Sequence, residues 1–128
     1  MMKQITKENV LTLIQEKDIE LKPTQKKICL PILNRLYVKM SNDISFDGIK
    51  VAEGIIIDGH HRYLASLLAD CDLERIPSQT TSATDVINWN SIDFIDEEWD
   101  SPEKIEKFNE EDALRNDLSL ETIVELLK

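Results

Sequence analysis

The sequence predicts an α+β fold, ordered as helix, extended segment, helix, hairpin, helix and a helical acidic tail. Three observations carry that expectation. Ile49 to Ala52 and Ile55 to Asp58 are apolar, strand-like runs flanking a tight Glu53-Gly54 turn. Immediately afterwards the period changes, and Tyr63, Leu64, Leu67, Leu68 and Cys71 form a stripe at helical spacing. Hydroxyl residues suited to capping precede three helical stretches, at Thr6, Ser101 and Ser119.

Taken in order, Thr6 caps a helix running to about Lys17, with Val10, Leu11, Leu13 and Ile14 on its apolar side. Leu21-Lys-Pro-Thr-Gln25 breaks the pattern, because Pro23 biases Lys22 towards extended geometry. A strand or loop reaches Cys29, and a helix follows from about Pro31 to Met40, since proline is accepted only in a helix's first turn. After the hairpin, a helix covers about His60 to Cys71, and Arg75 to Ser78 is extended. Thr84 is expected to cap Asp85 to Trp89. Ser101-Pro102-Glu103 starts a helix reaching about Asn116, and Ser119 starts one over Leu120 to Leu127.

The 128 residues suit one domain with a single core. The longest apolar run, Ile55 to Ile57, is far shorter than the ~20 residues of a membrane span, so no membrane partner is expected. No basic stretch followed by an apolar one opens the sequence, and two lone cysteines, Cys29 and Cys71, cannot make a disulfide framework. A cytoplasmic location with both thiols as small core residues is the expectation.

Net charge is −10, unevenly spread. Residues 1–92 hold 12 acids and 11 bases, whereas residues 93–128 hold 13 acids and 4 bases. An acidic surface repels nucleic-acid phosphate, which needs clustered Lys and Arg, and favours a basic protein partner instead. Asp96, Glu97, Glu98, Glu110 and Glu111 are the candidate partner-binding residues. Trp89, Phe94, Ile95, Trp99, Ile105, Phe108, Leu114, Ile123, Val124 and Leu127 are expected to anchor this segment as ordered structure. Glu103, Glu106, Asp117, Glu121 and Glu125 should face water with Glu110 and Glu111.

One constellation is dense in chemistry: Asp58-Gly59-His60-His61-Arg62 at a strand-to-helix junction. Gly59 permits an unusual φ, the first amides of the helix attract anions, and Arg62 can grip a phosphate with its planar fork. Asp58, His60 and His61 are the candidate catalytic groups, and Gly59, His60, His61 and Arg62 the candidate phosphate-binding ones. The same residues also admit a purely architectural reading, with Asp58 capping the helix and His61 in a satisfied core niche. Neighbouring imidazoles point roughly 100° apart on a helix, and neither they nor the cysteines have metal-ligand spacing, so no metal site is expected.

Asp58-Gly59-His60-His61-Arg62 resembles the D-G-H-H-R variant of the ParB/sulfiredoxin-like superfamily. Leu21-Lys22-Pro23-Thr24-Gln25 resembles the L-x-P-T-Q opening of its putative ParB-like nuclease family. The likeness covers about residues 18–80, with about 85–128 as an acidic helical extension of the same domain. It implies a short mixed sheet with packed helices, and a helix N-terminus that binds the phosphates of a nucleotide, such as a nucleoside triphosphate with Mg²⁺. Sulfiredoxins carry their reactive cysteine where this chain has His60, so that redox chemistry is not expected. Partition proteins add arginine-rich boxes and a helix-turn-helix domain, neither of which is found.

Two functions follow from different features. One is a nucleotide- or phosphate-binding protein, as a phosphotransferase or hydrolase, with Asp58 as base and His60 or His61 as acid–base partner. The other is an acidic immunity or inhibitor protein that neutralises a basic nuclease toxin. A nuclease activity would need a local basic groove around Lys22, Lys26, Lys27 and Arg62.

Overall fold

The computed structural model describes residues 5–17 and 19–128. Helix α1 (Lys7–Glu16) starts at Thr6, whose hydroxyl accepts from the Asn9 amide while the Asn9 side chain returns to the Thr6 amide. Strand β1 (Lys27–Cys29) runs directly into α2 (Leu30–Ser41), with Pro31 in the first turn. Strands β2 (Ile49–Ala52) and β3 (Ile55–Asp58) form the expected antiparallel hairpin. Its Glu53-Gly54 turn places both residues at positive φ, 52° and 76°, which matches the right-handed twist of the strands. Helix α3 (His60–Ala69) follows at once, then β4 (Arg75–Pro77), which pairs in parallel with β2. The sheet order is thus β3-β2-β4, mixed as expected.

The second sheet has two parallel strands, β1 and β5 (Asp93–Ile95), the latter unmarked in the sequence. Residues 85–88 are not helical: the Thr84 hydroxyl accepts from the Thr81 amide behind it, and the Ile87 amide donates to the Pro23 carbonyl. The expected helix there is replaced by a single 3-10 turn, Trp89–Ser91, capped by Asn88. Helices α4 (Pro102–Arg115) and α5 (Leu120–Leu126) take their caps from Ser101 and Ser119, as expected. Among the described residues no helix is long and apolar enough to cross a membrane.

One core lies under α1, α2, α3 and the three-stranded sheet, centred on Ile28, Leu33, Ile49, Ile56 and Leu64. Trp89 and Ile92 reach into it. A separate small cluster, Ile44, Ala113 and Ile123, with Phe46 and Leu126 against it, sits under α4 and α5. Several expected anchors of the acidic segment are therefore not buried. Trp99, Phe108, Leu114 and Val124 are exposed, Leu114 by 85%. The reason is the face that α4 turns inward, built on Asn109, Asp112 and Ala113 rather than on its large apolar residues. The acids Glu103, Glu106, Glu110, Glu111, Asp117, Glu121 and Glu125 are all exposed, as expected.

Candidate functional site

The two sequence motifs are stitched together by backbone. The Lys22 amide donates to the Gly54 carbonyl and the Ile56 amide to the Lys22 carbonyl, laying the Leu21–Gln25 segment beside β3. The Thr24 hydroxyl donates to the Ile56 carbonyl at 2.8 Å. Trp89 and Tyr63 close the other end, with the indole N–H donating to the Leu21 carbonyl at 2.8 Å. The Tyr63 hydroxyl accepts from the Leu21 amide.

The histidines complete this stitching. The Thr24 amide donates to His60 Nε2, and the Cys29 amide donates to His61 Nε2, each at 2.9 Å. A backbone N–H can only donate, so both rings are neutral with the proton on Nδ1. Burial lowers the pKa of each to about 4, with Asp58 opposing the shift at His60. At His61 the neighbouring His60 adds to the lowering and Asp100 opposes it. Adjacent positions on α3 point in different directions, which is why one ring holds the Thr24 loop and the other the end of β1. His61 also meets Trp99 edge to face, with centroids 5.6 Å apart.

Gly59 is the N-cap of α3 with φ 102°, and no side chain caps the helix. A Cβ there would lie 2.6 Å from Ile49 Cγ2 and 2.9 Å from Arg62 Nη2. Glycine is therefore required twice, for its backbone angle and for the closeness of Ile49. Asp58 does not cap the helix; its carboxylate is largely exposed and meets Arg62 Nη2 only at 3.5 Å. Arg62 folds back over the turn, so a guanidinium and the uncapped end of α3 share one place. Both attract an anion.

A cavity of about 410 Å³ opens beside this turn, between α2 and α4. That volume is within the range of small-molecule sites. Ile32, Leu36, Phe46, Ile105 and Phe108 supply its apolar lining. Its charged lining comprises Arg35, Lys39, Arg62 and Arg115 against Asp47, Asp58, Asp100, Glu111 and Asp112. Three of the four cations are closely paired. Arg35 binds Glu98 through both nitrogens and Asp100 at 3.2 Å. Lys39, buried, meets Asp112 at 2.6 Å; burial pushes its pKa down and Asp112 pulls it up. Arg115 reaches Asp47 at 2.9 Å and Asp112 at 3.3 Å. Asn109 also lines the cavity; its residue is 6% exposed and its buried Oδ1 accepts no hydrogen bond.

Of the residues singled out from sequence, Asp58 and Arg62 thus line the cavity with Gly59 between them in the turn, while His60 and His61 turn away to backbone partners. Among the expected partner-binding acids, Asp96, Glu97, Glu110 and Glu111 are exposed, but Glu98 is engaged by Arg35. Sequence reasoning missed Arg35, Lys39, Asn109 and Asp112, whose only sign was a recurrence of polar residues at helical spacing. Among the described residues no group of three or more His, Cys, Asp or Glu is placed to hold a metal ion. Comparison with family models, curated proteins and solved structures finds no match to this chain.

Proposed function

We propose that the chain binds a phosphate-bearing small molecule, with the phosphate at the Asp58–Arg62 turn and the remainder in the adjoining cavity. One observation carries the reading: Arg62 lines a ligand-sized cavity and folds over the uncapped N-terminus of α3. This agrees with the resemblance to the ParB/sulfiredoxin-like superfamily, in which this turn holds nucleotide phosphates. The arrangement supports binding more directly than acid–base chemistry by His60 and His61. A ring whose Nε2 already accepts a backbone N–H, and whose pKa is about 4, has no lone pair there to take a proton near neutrality. Any proton transfer falls to Asp58, the exposed carboxylate beside Arg62. A phosphotransferase or hydrolase would rest on that group.

The test is calorimetric titration with inorganic phosphate and nucleotides, repeated on Arg62→Ala. Loss of about 1.5–3 kcal/mol of binding free energy is expected, the range for a hydrogen bond to a charged group. Unchanged affinity in a folded variant would place the ligand elsewhere.

A second reading is favoured by a separate observation. Leu114, Leu118 and Val124 are exposed apolar residues in the acidic segment that includes Glu110, Glu111, Asp117 and Glu121. Apolar contacts within an acidic surround suit a basic protein partner, such as a toxin that this chain would neutralise. Association that slows sharply with rising salt supports it, and indifference to salt removes its basis.

A further inference from the structure

We infer that the cavity takes a phosphate monoester, one phosphate on an apolar body, in preference to a nucleoside triphosphate; the inference rests on the phosphate reading above. Two observations lead there. The first is the surface the cavity offers to the body of a ligand. Ile32 and Leu36 from α2, Phe46 from the segment before β2, and Ile105 and Phe108 from α4 line it. All five stay accessible, Phe108 by 41%. Accessible apolar side chains that converge on one cavity are stabilised by apolar surface laid against them. Neutral polar groups are scarce there: Asn109 is the one uncharged polar residue of the lining, and its carboxamide oxygen is shut off from the cavity. Asp47, Asp100 and Asp112 already accept from cations. Among the lining carboxylates, a sugar's hydroxyls would find only Asp58 and Glu111 without a cation nearer than 3.5 Å.

The second observation is the charge of the walls. Asp47, Asp58, Asp100, Glu111 and Asp112 line the cavity against four cations. Arg35, Lys39 and Arg115 are each held by a carboxylate within 3.2 Å, whereas Arg62 has only a 3.5 Å contact and keeps 23% of its side chain open. One guanidinium beside one helix end matches one phosphate. Each further phosphate would bring negative charge against walls that hold more carboxylates than cations, and juxtaposed like charges oppose binding.

The experiment is titration of the full chain with phenyl phosphate, ribose 5-phosphate, inorganic phosphate and adenosine triphosphate, with and without Mg²⁺. Phenyl phosphate should bind about tenfold more tightly than ribose 5-phosphate or inorganic phosphate, the gain from burying about 60 Å² of apolar surface. It should also outbind the triphosphate in both buffers. In Phe108→Ser that advantage should shrink while inorganic phosphate binds as before. In Arg62→Ala all four should weaken together. The ranking on the unaltered chain decides the matter even if a variant does not fold. Equal affinity for phenyl phosphate and ribose 5-phosphate, tighter binding of the triphosphate in either buffer, or an advantage untouched in folded Phe108→Ser overturns the inference. If ribose 5-phosphate and inorganic phosphate still bind through Arg62, the phosphate reading survives that failure; if no phosphate compound binds, both readings fall.

Discussion

The body of the molecule and its acidic helices are held by different forces. Among the described residues, fifteen buried apolar ones form one cluster under α1, α2, α3 and the mixed sheet, whereas three form the cluster under α4 and α5. In place of apolar area, the acidic helices dock through charges and amides. Lys39 meets Asp112, Arg115 meets Asp47, and the segment before α4 meets Arg35 through Glu98 and Asp100. Asn116 bridges to both backbone groups of Ser45, donating to its carbonyl and accepting from its amide. Apolar burial is non-directional and largely indifferent to salt; paired charges depend on geometry and partner. The difference teaches that a segment rich in carboxylates can be ordered without a large core, provided the body offers cations at matching positions.

The largest expected effect tests that pairing. Lys39→Met leaves buried Asp112 with only the 3.3 Å contact of Arg115 and should cost about 3 kcal/mol in urea unfolding, the low end for breaking a buried pair. Combining it with Asp112→Leu should recover most of the loss, because apolar groups of similar volume replace a buried pair at little cost. If the double variant is as unstable as the single one, the acidic helices are not docked by charge in the way described.

A second experiment separates the regions by solvent. The pKa values of His60 and His61 are lowered by folding from 6.5 to about 4, so the unfolded chain binds more protons between those values. Stability therefore rises with pH across that window and is lost on acidification towards pH 4, by roughly 2–3 kcal/mol per ring. The hydrogen-bonded Arg35 guanidinium lowers the pKa of Glu98, so that pairing persists down through the usual carboxylate range and is lost only below it. Hydrogen exchange should thus show the Thr24 and Cys29 amides losing protection as pH falls from 6.5 to 4. Half-molar salt at pH 7 should instead loosen α4 and leave those amides protected. Equal response of both regions to both treatments would dissolve the distinction.

The smallest effect concerns the entrance to α4. Ser101 accepts from the Lys104 amide, and Ser101→Ala should cost about 1 kcal/mol. The loss should be confined to exchange of the first turn of α4, which sharpens the boundary between the two regions.

How much of this was legible in the sequence follows the range of each interaction. The caps Thr6, Ser101 and Ser119, the Glu53-Gly54 turn and the α3 stripe are local signals, and the elements they announce are present. Strand β5 was not legible, because its three residues are strands only through pairing with β1. The α4 face was misread for a related reason. Apolar anchors were expected to point inward, but Lys39 and Ser45 on the body select Asp112 and Asn116 instead. At the candidate site, the meeting of Asp58, Gly59 and Arg62 was legible from adjacency. The partners of His60 and His61 were not, since Thr24 and Cys29 lie more than thirty positions earlier and offer only backbone.

The parallel pairing of β1 with β5 also orders events in time. Lys27 must find Asp93 across α2, the whole hairpin, α3 and β4, and closing so long a loop carries an entropic cost that short-range contacts do not. Hairpin and α3 contacts are close in sequence and form readily, so they precede it. The cavity between α2 and α4 is consequently assembled last, when β5 has drawn the acidic helices alongside the body. In a stopped-flow refolding experiment, tryptophan fluorescence from Trp99 should report a slower event than backbone circular dichroism. A ligand bound there, as proposed, would be captured only after that last step of folding.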